Sequence, residues 1–102
     1  MDTVNAIAKV RFASAKPQAV HLHKGKSLQA DLLCMEPGQK LDVPAAAERL
    51  YYVVVGTAKL SNKGDEITAY AGQLAVTAGD ERHRIANPGP QRLICVIVHG
   101  GS

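Results

Sequence analysis

His83 is the residue of this chain best placed for chemistry. It follows a tight turn at Ala78-Gly79-Asp80 and is predicted to open a strand, so its imidazole should sit at a rim and face a cavity. His21 and His23 offer a second pattern. The alternation in Ala19-Val20-His21-Leu22-His23 predicts a strand with Val20 and Leu22 on one face and both histidines on the other. A shared face could begin a metal site, but a transition-metal centre needs three or four converging ligands. Reaching that number from His83 would require Asp42, Glu48 or the distant His21 and His23. Two partly solvated histidines beside Lys24-Gly25-Lys26 is the simpler expectation, and His99 is expected in a solvated tail, His99-Gly100-Gly101-Ser102.

The elements that must position these residues read as short strands. Segments 28–35, 50–55 and 93–98 are apolar on both faces, and a strand greasy on both sides is covered on both sides. A small barrel has one core, so an outer face is expected to be buried against something, most simply a second copy in a homodimer. Segment 39–47 lacks strong periodicity and contains Pro44, which reads as a loop or a loop with a helical turn. Gly56 permits a tight turn after which 57–60 should return antiparallel to the strand before it. Asn62-Lys63-Gly64-Asp65 is the next reversal, with Gly64 able to take positive φ, and Asn87-Pro88-Gly89-Pro90 is the last. Residues 1–16 form an N-terminal extension with one or two helical turns, capped by Asp2 or Thr3 and broken at Pro17. Many short strands with closely spaced turn signals predict an all-β sandwich or barrel.

Composition narrows the function classes. At 102 residues the chain is expected to be one domain, 1–102, with a high surface-to-volume ratio that a partner subunit would relieve. The net charge of +3 is mild, basic residues are scattered, and four aromatic residues leave little to stack on bases, so no nucleic-acid partner is expected. No apolar run reaches membrane-span length and the first residues lack a signal-peptide layout, so neither membrane association nor export is expected. Cys34 and Cys95, far apart on apolar strands, read as buried reduced thiols of a cytoplasmic protein.

Gly72, His83 and Asn87 also fall in the register of a known motif. Their spacing resembles the second signature of the cupin superfamily, G-x-x-x-x-x-P-x-G-x-x-H-x-x-x-N, with Ala78 and Asp80 in place of the usual Pro and Gly. Upstream, Pro37-Gly38 and the run Glu48-Arg49-Leu50-Tyr51-Tyr52-Val53-Val54-Val55-Gly56 resemble the frame of the first signature, with a trimmed interval between. The motif-like regions are thus 37–56 and 72–87. The resemblance implies an RmlC-like cupin, a jelly-roll β-barrel or double-stranded β-helix, and a dimer. It also implies a degenerate metal site, because Pro44 and Ala46 stand at the two histidine positions and Arg49 at the glutamate position. A guanidinium there repels a cation.

If strand parity follows the family, Arg49, Tyr51 and Val53 point into the barrel and His83 approaches from the opposite sheet. Arg49, Tyr51 and His83 are therefore the expected ligand-binding residues. A buried arginine needs an anionic partner, either Asp31, Asp42 or Asp80, or a bound carboxylate or phosphate. The leading expectation is a non-enzymatic barrel for a small, anionic metabolite, with no cofactor. The alternatives are a divalent transition metal held by a non-standard set around His83, serving an oxygenase or isomerase, and a metal-free epimerase using His83 as base and Tyr51 as acid. The last needs a carboxylate to orient the imidazole, with Asp80 and Glu81 nearest in sequence. Tyr51 and Tyr52, being adjacent on a strand, should face opposite ways.

Overall fold

The computed structural model describes residues 1–100. Nine strands form two antiparallel sheets: β1 (Gln18–Lys24), β2 (Gln29–Met35), β3 (Lys40–Val43), β4 (Arg49–Val55), β5 (Thr57–Ser61), β6 (Glu66–Tyr70), β7 (Leu74–Thr77), β8 (His83–Ala86) and β9 (Leu93–His99). The first sheet runs β1-β2-β9-β4-β7 and the second β3-β8-β5-β6. Their inner faces enclose one cluster that includes Leu33, Met35, Tyr51, Val53, Ile85, Leu93 and Cys95. Each such aliphatic side chain removed from water contributes about 1.5–3 kcal/mol, which decides the parity of every strand around it.

Alternation accounts for both faces of the first sheet. Along β9, Leu93, Cys95 and Ile97 are buried inside, whereas Ile94, Val96 and Val98 lie half-buried on the outer side. Tyr51 is fully buried while Tyr52 remains 40% exposed, as adjacent strand residues must. The double-sided apolar strands do not share one explanation. On β2, Leu32 and Cys34 are fully buried although neither belongs to the inner cluster. The segment before β1 lies against this side: the Arg11 backbone is at the Cys34 thiol, the Gln39 amide donates to the Ala13 carbonyl at 2.7 Å, and the Arg92 guanidinium sits 4.6 Å from the centre of the Phe12 ring. The chain thus covers β2 itself. On β7 the larger side chains turn outward, leaving Leu74 and Val76 nearly 60% exposed, with Ala75 and Thr77 inside.

Several expected details are corrected. Segment 39–47 contains a strand, β3, because Leu41 and Val43 alternate inward against β8; four residues were too few for the period to show. The strand after Gly56 does not return along β4 but joins β6 and β8 in the other sheet. Gly56 makes that crossing with φ +87°, and a side chain there would overlap the Arg92 carbonyl. Gly64 does not use positive φ, because Asn62 closes the reversal: its side-chain oxygen accepts from Gly64 N and its backbone N–H donates to Asp65 O, both at 2.9 Å. The N-terminal turn is a 3-10 turn at Ile7–Lys9, and Asn5, not Asp2 or Thr3, accepts a hydrogen bond from its Ala8 N–H at 3.3 Å. Among the described residues no helix is long and apolar enough to cross a membrane.

The histidine expectations change most. A register shift in β1 sets His21 opposite Asp31 and His23 opposite Ala30, so Leu22 is the extra residue of a bulge and the two histidines face opposite sides. His99 is not in a solvated tail. It ends β9, with a side chain only 15% exposed and Nε2 3.6 Å from Asp31; Gly101 and Ser102 lie outside the described residues.

Candidate functional site

His83 opens β8 and reaches across the barrel to Tyr51 on β4. Nε2 lies 2.6 Å from the tyrosine hydroxyl, with the rings edge to face at 5.6 Å. Burial pushes the Tyr51 phenol up to about 12, a shift that outweighs the opposing charge of Arg49, so the hydroxyl keeps its proton at neutral pH. Burial lowers the His83 pKa first, the Arg49 charge lowers it further, and the nearby Glu81 backbone and charge act against both. The imidazole is thus neutral at neutral pH. With the phenol donating to Nε2, the ring proton belongs on Nδ1.

At that Nδ1 the Glu81 backbone is near enough to act on the imidazole but forms no well-aligned hydrogen bond, and the hydroxyl of Thr77 has no partner. Both residues are more than nine-tenths buried and both line the same cavity of about 170 Å³. Leaving a buried polar group unsatisfied costs about 1–3 kcal/mol, so two at one cavity is an arrangement that a ligand or water would relieve. A second, more open space of about 470 Å³ shares Ser61, Asn62 and His83 with the first and is otherwise lined by Asp42, Val43, Pro44, Arg82 and Arg84.

The three expected site residues separate. His83 lines both cavities; Tyr51 is sealed beneath it and Arg49 borders neither. Arg49 lies opposite Thr77 on β7 and His99 on β9, at the end of the inner face. Among the described residues no carboxylate comes within 4 Å of its guanidinium: Asp31 is taken by His21 and His99, and Asp42 by Arg84. Thr77 was missed by sequence reasoning. The signal was the 74–77 alternation itself, in which Leu74 and Val76 mark one face and Ala75 and Thr77 the other.

Asn87, the last motif position, proves to be a clasp. Its amide donates to the Met35 and Gln91 carbonyls at 2.9 Å each and its side-chain oxygen accepts from Gly89 N at 2.8 Å, while its backbone oxygen accepts from Gly38 N at 2.8 Å. The two motif-like regions are joined there. Gly38, Gly56 and Gly72 all take φ near +87°, which fits their spacing as turn glycines.

Among the described residues no group of three His, Cys, Asp or Glu side chains is placed to hold an ion. Nε2 of His83 is already bonded to Tyr51, and Asp42 is bound bidentately by Arg84 at 2.7 and 3.4 Å. The donor set does not fit a metal centre.

Two antiparallel sheets closing on one core, with glycine turns at both signatures, define a cupin fold, the double-stranded β-helix. By sequence the chain matches no family model and no curated protein. By structure it is similar to TT1209 from Thermus thermophilus, at 17% identity and a TM-score of 0.90 over 99% of this chain and 98% of that one. It is similar to an uncharacterized conserved protein with a double-stranded β-helix domain from Klebsiella pneumoniae, at 20% identity and a TM-score of 0.87 over 98% and 90%. An RmlC-like cupin protein from Desulfovibrio desulfuricans aligns at 17% identity and a TM-score of 0.84 over 98% and 96%.

Proposed function

We propose that this cupin binds a small polar molecule with an anionic group, without a metal, and that it does so as a homodimer in the cytoplasm. The observation that carries the reading is a pair of buried polar atoms without a well-formed hydrogen bond, His83 Nδ1 and Thr77 Oγ1, on two residues that line one cavity. The ligand satisfies both by accepting from the imidazole N–H and exchanging a hydrogen bond with the hydroxyl. Arg49 borders neither cavity, but its charge is felt at His83 and Tyr51 and weighs toward an anionic group, against the carboxylates of Asp65, Glu66 and Glu81 at the cavity edge. Two features weigh against proton-transfer chemistry by the same pair. His83 has no carboxylate orienting its Nδ1, and Tyr51 is too buried to reach a substrate.

The dimer reading rests on the outer side of β4 and β7, where Tyr52 packs opposite Leu74 and Leu50 opposite Val76, with Val96 and Val98 beside them on β9. The buried, unpaired Cys34 and Cys95 suit a reducing compartment.

The test is a calorimetric and thermal-shift screen of small carboxylates and sugar phosphates, with Thr77→Val and His83→Asn as controls and metal content measured by mass spectrometry. Binding by the parent chain that both variants lose supports the reading. Near-stoichiometric metal that disappears in His83→Ala would replace it with a metal-dependent enzyme. Sedimentation of Leu74→Glu tests the dimer, which that charge should dissociate.

A further inference from the structure

The two outer faces of the barrel differ in charge. On the second sheet the outward positions hold Lys40, Asp42, Lys59, Glu66 and Arg84, a face suited to water. On the first sheet two rows cross β7, β4 and β9 on the outer side: Val76, Leu50 and Val98, then Leu74, Tyr52 and Val96. None of the six is charged, and Val76, Leu74 and Tyr52 are exposed.

These rows lead to the cavity that Thr77 and His83 line. The cavity lies between two sheet edges, because β7 ends the first sheet and β6 ends the second. Val76 and Thr77 line it from β7, and Glu66 and Ile67 line it from β6. Val76 thus belongs both to the apolar face and to the wall of the cavity. On the facing edge, Ile67 shares the inward side of Ala69 yet remains 43% exposed.

We propose that a second copy of this chain, seated on the outer side of β7, β4 and β9, extends past Val76 to Ile67 and closes the mouth of the cavity. The inference rests on the dimer reading above and adds what the dimer does for the site. A second copy suits this face because an uncharged patch is complementary to itself across a two-fold axis, whereas a face charged with one sign would meet its like. Seating it there also covers the open edge of β7, which would otherwise be free to pair with other chains. A mouth covered by apolar side chains keeps water from His83 Nδ1 and Thr77 Oγ1, and hydrogen bonds to a ligand strengthen in the drier site. Ligand affinity and dimer affinity are then coupled, each raising the other by the same factor.

The test reads the lip of the cavity directly. Ile67→Cys places a thiol at the mouth and Thr68→Cys places one on the outer face of the second sheet, while Cys34 and Cys95 stay buried. Each variant is treated with N-ethylmaleimide, a neutral reagent, at concentrations where sedimentation finds it monomeric and where it finds it dimeric, and alkylation is followed by mass spectrometry. The Ile67→Cys thiol should react at least ~10-fold more slowly in the dimer, and the Thr68→Cys thiol at the same rate in both states. Leu74→Glu added to Ile67→Cys should restore the fast rate at every concentration with circular dichroism unchanged. Equal rates for Ile67→Cys in monomer and dimer would overturn the closure and leave the dimer standing. A dimer that survives Leu74→Glu uses another face and overturns the closure as well. A chain that stays monomeric at every concentration would remove both. None of these rates needs a ligand, so a failure of the small-molecule reading is seen separately, in the calorimetric screen.

Discussion

At the β1 end of the first sheet, Asp31 gathers its neighbours: His21 Nδ1 lies 2.6 Å away, the Gln29 amide donates at 3.3 Å, and His99 Nε2 stands 3.6 Å off. Across the barrel, on the second sheet, His83 has a phenol for a partner, no carboxylate, and a buried nitrogen without a well-formed hydrogen bond. A histidine beside a carboxylate has its polar atoms satisfied by the fold. One set among apolar walls keeps an unmet hydrogen-bonding need, which is where an outside molecule gains most. The histidine pair whose spacing suggested a shared face, His21 and His23, sits on an edge strand with the two rings on opposite sides, and His83, the histidine best placed by the sequence, carries the candidate site.

Breaking the comparison at its centre should have the largest effect. Tyr51→Ala removes both the partner of His83 and a fully buried ring, and urea denaturation should show a loss of about 3–5 kcal/mol. Asp31→Ala leaves two histidines and an amide without their acceptor and should cost about 1.5–3 kcal/mol, with no change in ligand affinity. Weakened binding in that variant would erase the distinction between the two histidine regions.

The pH dependence sharpens the contrast further. His83 is lowered below 6.5 in the folded state, so between that lowered value and 6.5 the unfolded chain binds more protons than the folded one. Its contribution to stability is therefore complete above 6.5 and lost as the pH falls through that window. Unfolding curves should show a slope of at most about one proton there, reduced in His83→Asn. Smallest in stability is Thr77→Val, expected within about 0.5 kcal/mol of the parent or slightly above it because it deletes an unsatisfied hydroxyl. Its calorimetric signal for ligand should nonetheless disappear.

How much of this was legible follows from what is local in the chain. The turn glycines and the motif spacing of Gly72, His83 and Asn87 are local, and Gly38, Gly56 and Gly72 took the backbone conformation that such turns need. Strand parity is local too, which is why Tyr51 and Tyr52 parted as expected. The bulge at Leu22 is not, because a register shift depends on which residues of β2 lie opposite. The crossing at Gly56 was hidden for the same reason, since nothing in residues 57–61 says which sheet they will join. The covering of Cys34 by the N-terminal segment is a contact between distant parts of the chain, and it mimicked a partner's face. Of the candidate site, His83 and its Tyr51 contact could be anticipated, whereas Thr77 became meaningful only when its neighbour across the cavity was known.

β9 lies at the middle of its sheet, between β2 and β4, although it is the last strand in sequence. On the ribosome, β2 and β4 therefore wait with open backbone edges until residues 93–99 have emerged, and the larger sheet is assembled from pairings made across most of the chain. Folding should be slow for the chain's size, and a truncation removing β9 should leave two sticky half-sheets in place of a shortened barrel.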